Sequence, residues 1–236
     1  GSSALYLAIE VLGLEPGDEI ITSAVTFSTD VAPMLKKGVV PAFVDVTPDT
    51  FQIDAARIEE MVGPRTRAIL APDLIGNCPD WDAIRGIADR HGLKVIEDSC
   101  DALGQTLRGT PTGLRADIAL TSFALSHIIT AAGTGGMVCF DDDELVDRAL
   151  LLRRWGRRSE VQLFGSAKGV ERRFFSTIEG DEGAGDLEYD NLFIFDEVGW
   201  NFEPSELSAA FGLVQLTKLS DNLARRQRNF DITGSY

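Results

Sequence analysis

Short β-branched runs and longer amphipathic stretches alternate through the first two-thirds of the chain. The apolar runs at 19–25 (EIITSAV), 39–46 (VVPAFVDV), 68–75 (AILAPDLI), 94–99 (KVIEDS), 118–123 (IALTSF) and 135–140 (GGMVCF) have the length and composition of strands. Between them, 3–12, 28–37, 54–62, 80–91 and 142–155 read as helices. In the stretch at 80–91, Asp80 suits the N-cap, Trp81, Ile84, Ile87 and Ala88 share one face, and Gly92 can form the left-handed stop. This alternation predicts an α/β fold, a mostly parallel sheet with helices on both faces. Ligands of such sheets bind outside the carboxyl ends of the strands, so the chemistry is sought there.

The rhythm stops at 157–198, which has no sustained period and carries the acidic, glycine-rich EGDEGAGDLEYDN. An irregular insertion loop is predicted, since loops of that length are functional or mobile. After it, 204–230 reads as one long helix, with Pro204 at the first helical position and a basic last turn suited to the helix dipole.

Composition narrows the function. Of 236 residues 44% are hydrophobic, enough for a large core, and no apolar run approaches the roughly 18–20 residues of a membrane span. The chain start lacks the charged and apolar regions of a secretory signal, so a cytoplasmic enzyme is expected. Thirty-seven acidic against 22 basic residues, a formal charge of -15, argue against nucleic-acid binding. Cys78, Cys100 and Cys139 are far apart and read as reduced core or near-core thiols, with no metal cluster among them.

Four features bear candidate chemistry. The strand KVIEDS delivers Glu97 and Asp98 to its carboxyl end, where Asp98 could be a general base, a metal ligand, a cofactor anchor or a turn cap. The opening GSSALYLAIEVLG sets Ser2 and Ser3 before an apolar helix, an arrangement that offers N–H groups and hydroxyls to an anion; Gly-Ser-Ser is also a common expression scar. Phe27, in SAVTFSTD, could stack on a planar ring or pack in the core. The fifth strand ends in Ser122, Ser126 and His127, one of two histidines, which reads either as a base or as a structural residue. As a set, phosphate donors, an aromatic plate, a carboxylate and a base meet the needs of pyridoxal phosphate.

Over essentially its whole length the chain resembles the DegT/DnrJ/EryC1/StrS sugar aminotransferase and dehydratase family, which uses pyridoxal or pyridoxamine phosphate on the type I aminotransferase fold. GSSAL, GDEIITSAVTFST, VVPAFVDV, EDSCDALG, DIALTSFALSH, GTGGMV, RRWGR and GWNFEPSELSAAFGLVQL carry the resemblance. It implies that Ser2, Ser3 and Ser122 hold the cofactor phosphate, that Phe27 stacks on the ring, and that Asp98 meets the pyridinium. Asn201 is implied to reach the phosphate of the neighbouring subunit, in a homodimer with shared active sites, although the family's usual N-Y-R-M is here Asn201, Phe202, Glu203 and Pro204. The family's architecture divides the chain into a cofactor-binding large domain at 1–200 and, at 201–236, a long helix leading toward a small domain. The chain then reads as the central portion of a larger protein.

His127 stands five residues after Ser122, where the family's aminotransferases keep the lysine that holds pyridoxal covalently. Lys36, Lys37, Lys94, Lys168 and Lys218 all fall elsewhere. The following TAAGTGG is one residue longer than the family's usual T-x-G-E-G-G. The branch with histidine consists of dehydratases of nucleotide-linked 4-keto-6-deoxy sugars, in deoxysugar and lipopolysaccharide O-antigen synthesis. By that resemblance His127 is the catalytic base that takes a proton from the cofactor's C4′, and the C3 hydroxyl leaves; the reference pKa of histidine, about 6.5, suits the task. One subgroup carries a four-cysteine iron–sulfur cluster after R-x-W-G-R, but RRWGRRSEVQLFGSAKGVERRFF has no cysteine. No such cluster is expected, and glutamate is the expected amino donor. The alternatives are a nucleotide-sugar aminotransferase and an inactive cofactor-binding or interaction remnant. Arg153, Arg154, Arg157, Arg158, Arg172 and Arg173 suit either a substrate diphosphate or ion pairs with the nearby acidic run. His91 is expected on the surface.

Overall fold

The computed structural model describes residues 1–169, 175–180 and 185–234. In chain order, α1 (Ser2–Glu10) precedes β1 (Glu19–Ser23), α2 (Ser28–Lys37), β2 (Val40–Val44), α3 (Ala55–Ile58), β3 (Thr66–Pro72), α4 (Trp81–His91) and β4 (Lys94–Asp98). A two-residue hairpin, β5 (Thr106–Leu107) with β6 (Thr110–Pro111), leads to β7 (Ile118–Ser122) and β8 (Gly136–Phe140). Then come α5 (Asp143–Arg153), α6 (Ser159–Phe164), the hairpin β9 (Phe175–Ile178) with β10 (Leu187–Asp190), α7 (Glu206–Leu216) and α8 (Leu219–Gly234). Two compact units result. The first holds Gly1–Ile9, Gly13–Cys139 and Pro204–Tyr236; the second holds Glu10–Leu12 and Phe140–Glu203.

A six-stranded sheet of order β2-β1-β3-β4-β7-β8 organises the first unit. The pairs β1 with β2, β1 with β3, β3 with β4, and β4 with β7 are all parallel, as the α/β alternation predicts. β1, β3, β4 and β7 bury nearly every residue, the signature of parallel strands covered on both faces. Ile21, Ile69 and Val95 of three strands meet Trp81 and Ile84 of α4 in one core cluster. The caps of α4 follow its sequence: the Asp80 side chain accepts the Ala83 N–H at 3.2 Å, and Gly92, at φ 64°, sends its N–H to Ala88 O.

Three expectations are corrected. The stretch 157–198 is not wholly irregular, for it contains α6, the β9–β10 hairpin and a 3₁₀ turn at Asn191–Phe193, elements too short to show a period. The single helix at 204–230 is two helices. Thr217 Oγ1 donates to Val214 O at 2.8 Å and the Lys218 N–H reaches Gln215 O at 3.0 Å, a three-residue step that closes α7. Pro204 lies outside α7, whose N-cap is the extended Ser205. Finally, Cys139 is exposed on the edge strand β8, not near-core. The described residues contain no helix long and apolar enough to cross a membrane.

Beneath the carboxyl ends of β3 and β4 lies a buried acid cluster. Trp81 Nε1 donates to Asp73 Oδ1 at 2.8 Å, and Gly113 N–H donates to Glu97 Oε1 at 2.7 Å. Ser99 Oγ is 2.9 Å from Asp73 Oδ2 and 2.6 Å from Glu97 Oε1. One hydroxyl hydrogen serves one acceptor, so both contacts are satisfied only when a carboxyl is protonated. Burial, followed by the charge of Glu97, pushes Asp73 from its ordinary 3.8 up to about 8; burial raises Glu97 as well.

Two outcomes follow for stability. The unfolded chain ionises Asp73 near 3.8 while the native state keeps its proton until about 8, so the native state binds more protons between those values and stability falls as pH rises through them. Urea midpoints measured across that interval should decline, and Asp73→Asn should flatten the decline by a contribution on the order of a few kcal/mol. Ile69→Ala, at a site with 0% exposure, should cost about 2–5 kcal/mol in the same assay.

Candidate active site

The carboxyl-end turns of the parallel strands meet the start of α1. A Cβ at Gly1 would lie 2.9 Å from Cys100 Sγ and 3.1 Å from Ser122 Cβ, so this backbone sits tightly between the turn after β4 and the end of β7. The Gly1 amine donates to Gly135 O at 3.2 Å. Leu5, Leu7, Ala8 and Ile9 anchor α1 in the core, which leaves Ser2 and Ser3 exposed at its first turn beside N–H groups with no helical partner. Ser122, buried at the end of β7, accepts the Ala124 N–H at 3.2 Å through Oγ. The donors expected for a phosphate, Ser2, Ser3 and Ser122, therefore share one corner of the sheet.

Asp98 ends β4, 7% exposed, and its Oδ1 accepts the Cys100 N–H at 2.9 Å. Against it stands Asp30 of α2, wholly buried, with Thr26 Oγ1 donating to its Oδ2. Burial, then the charge of Asp98, pushes Asp30 from 3.8 up to about 8. The same two causes drive the Cys100 thiol upward, so it is a neutral thiol. Phe27 stands past the end of β1, as the N-cap of α2, and the residue is 66% exposed.

His127 lies in the turn after β7, its side chain 20% exposed. Its Nδ1 is 3.2 Å from Asp101 Oδ1, an ion-pair distance without a well-directed hydrogen bond. Asp101 is itself confined, because a Cβ at Gly76 would lie 2.9 Å from the Asp101 carbonyl oxygen and Gly76 has φ 76°. Nδ1 is the ring nitrogen beside Asp101, so Nε2 is the one left without that neighbour. Ser126 is exposed in the same turn.

The structure thus groups Gly1, Ser122, Cys100 and Asp98, sets Asp30 against Asp98, and sets Asp101 against His127. Sequence reasoning missed Asp30, Asp101 and the thiol of Cys100. The signals were faint: a lone acid four residues after Thr26, and the second aspartate of EDSCD. Asn201 belongs to the second unit, where it bridges Arg154 through the backbone and accepts the Glu203 N–H at 3.4 Å.

In that second unit Arg154 lies 3.5 Å and Arg153 3.7 Å from the buried Glu160, and Glu203 approaches both. Arg158 pairs with Asp196 at 2.6 Å. These ion-pair partners lie outside the acidic run that the sequence suggested. Arg157 instead covers the rings of Trp155 and Phe195, at 4.8 and 5.8 Å. Arg172 and Arg173 lie outside the described residues. His91 is on the surface, Nε2 2.9 Å from Glu59 Oε1.

The dTDP-4-dehydro-2,6-dideoxy-D-glucose 3-dehydratase of Saccharopolyspora spinosa is 38% identical over 238 residues, 98% of this chain and 50% of that protein. GDP-perosamine synthase of Caulobacter vibrioides is 36% identical over 228 residues, 97% of this chain and 53% of that protein. The E. coli GDP-4-keto-6-deoxy-D-mannose-3-dehydratase with bound hydrated PLP superposes with a TM-score of 0.80 at 29% identity, over 98% of this chain and 57% of that one. The chain spans about half the length of the relatives it matches. It has the α/β large-domain fold of PLP-dependent aminotransferases. Residues 1–234 match a family of PLP-dependent sugar enzymes that includes both aminotransferases and dehydratases, and the chain belongs to it: the DegT/DnrJ/EryC1/StrS aminotransferase family.

Proposed function

We propose that the chain carries the cofactor-binding part of a pyridoxamine phosphate-dependent dehydratase, which removes the C3 hydroxyl of a nucleotide-linked 4-keto-6-deoxy sugar. The observation that carries this reading is an imidazole backed by Asp101 in the turn after β7, where the family's aminotransferases need a lysine. Lys36 and Lys37 end α2, Lys94 begins β4, Lys218 joins α7 to α8 and Lys168 lies in the second unit, so none is in that turn.

The residues present fit the cofactor. The tight seat of Gly1 brings the α1 N-terminus, Ser2 and Ser3 to the Ser122 hydroxyl, a donor set suited to a phosphate dianion. Asp98 offers a nearly buried carboxylate to a protonated ring nitrogen, and Phe27 an open aromatic face. When bound, pyridoxamine phosphate supplies an amine for the C4 ketone and a ring that withdraws electrons. His127 would take the proton from C4′ of the bound cofactor through Nε2, with Asp101 beside Nδ1 to hold the ring. Imidazole does not hold the aldehyde covalently as a primary amine does, so the cofactor would stay unattached to the chain in either form. In this reading the enzyme is a cytoplasmic homodimer, Asn201 reaches the phosphate of the neighbouring active site, and glutamate restores the amine.

Two experiments test the assignment. His127→Asn should retain pyridoxamine phosphate, measured by its absorbance, while solvent exchange at C4′ falls about 10²–10⁴-fold; undiminished exchange removes His127 from the reaction. Borohydride treatment of the pyridoxal-loaded protein, followed by peptide mass spectrometry, should trap no cofactor on any lysine. A lysine adduct establishes the aminotransferase alternative instead.

A further inference from the structure

The Asp30 carboxyl is absent from the family motifs and has no task in the reading above, yet it is among the most completely buried acids of the chain. Its residue exposure is 0%, and its Oδ1 has no hydrogen-bond partner among the described residues. The other oxygen, Oδ2, accepts from Thr26 Oγ1. What faces the carboxyl is a second acid, Asp98, close enough for a side-chain hydrogen bond. Two bare carboxylates cannot bond each other, whereas one proton between them turns an orphaned acceptor into a donor.

We propose that Asp30 is a positioning residue: as a neutral acid it donates a hydrogen bond to Asp98 and fixes the plane of that carboxylate. Asp98 then has two fixed donors, the Cys100 N–H on Oδ1 and the Asp30 hydroxyl, and its remaining lone pairs are aimed by them. Asp30 lies in the first turn of α2, where the helix dipole favours an anion. Burial and the facing charge of Asp98 act the other way and dominate, leaving Asp30 protonated up to about 8. Among the described residues the Cys100 thiol feels both acids, and the Gly1 amine feels Asp98 and Cys100. The thiol is neutral and does not replace the shared proton. Above about 8 the pair carries two negative charges, and Asp98 loses its donor.

The consequence for a ring nitrogen rests on the cofactor reading, but the pairing itself does not, and the test separates them. In the cofactor-free 236-residue chain labelled with ¹³C at aspartate carboxyls, NMR titration should show Asp30 changing near pH 8 alongside Asp73. Asp30→Asn should remove one of these transitions. Asp98→Asn, which still reads Asp30 if the first variant does not fold, should move the Asp30 transition to lower pH and leave that of Asp73 in place. An Asp30 that titrates in the ordinary aspartate range of about 3.9, or one unmoved in Asp98→Asn, overturns the pairing. Added pyridoxamine phosphate should shift the pH of the Asp30 transition; if it binds without doing so, Asp98 is not its ring partner, and the pair stands on the first two arms.

Discussion

Burial of four adjacent parallel strands on both faces is the constraint from which the rest of this structure follows. β1, β3, β4 and β7 satisfy their backbone groups in the ladder and their side chains in the core. Polar side chains accumulate where the strands stop: Ser23, Asp73, Asp98 and Ser122 all stand at or just past a carboxyl end. Because the strands point the same way, these groups emerge along one edge. The candidate site is thus a product of strand direction before it is a product of any particular residue.

That edge is acidic. Asp30, Asp73, Glu97 and Asp98 are all buried there, and the balance of desolvation and mutual repulsion keeps protons on several of them. The second unit handles a buried acid differently, flanking Glu160 with the guanidinium groups of Arg153 and Arg154. Around Asp30 and Asp73 the compensation comes from protons, and around Glu160 from fixed cations.

Legibility followed element length. The six strands and the helix at 81–91 could be read because each repeats its pattern over at least five residues and is closed by a recognisable cap or turn. The six-residue α6 and the four-residue strands of the β9–β10 hairpin offered no such repeat, so 157–198 looked structureless. Between α7 and α8 the apolar pattern runs on without glycine or proline, and the break is made by the Thr217 hydroxyl capturing a carbonyl, which a hydrophobicity pattern does not register.

The amino-acid sequence by itself determined the alternation of strands and helices, the edge of the sheet where the candidate site lies, the family, and a histidine five residues after Ser122. These are local or motif properties, recoverable from spacing and residue type. Only the tertiary structure decided that Asp101 backs His127, that Asp30 faces Asp98, and that Gly1 is wedged between Cys100 and Ser122. Those pairs are distant in the chain and meet because neighbouring strands in the sheet are not always neighbours in sequence. Two carboxyls become a proton-sharing pair through contact in a desolvated space, and no one-dimensional pattern encodes that contact.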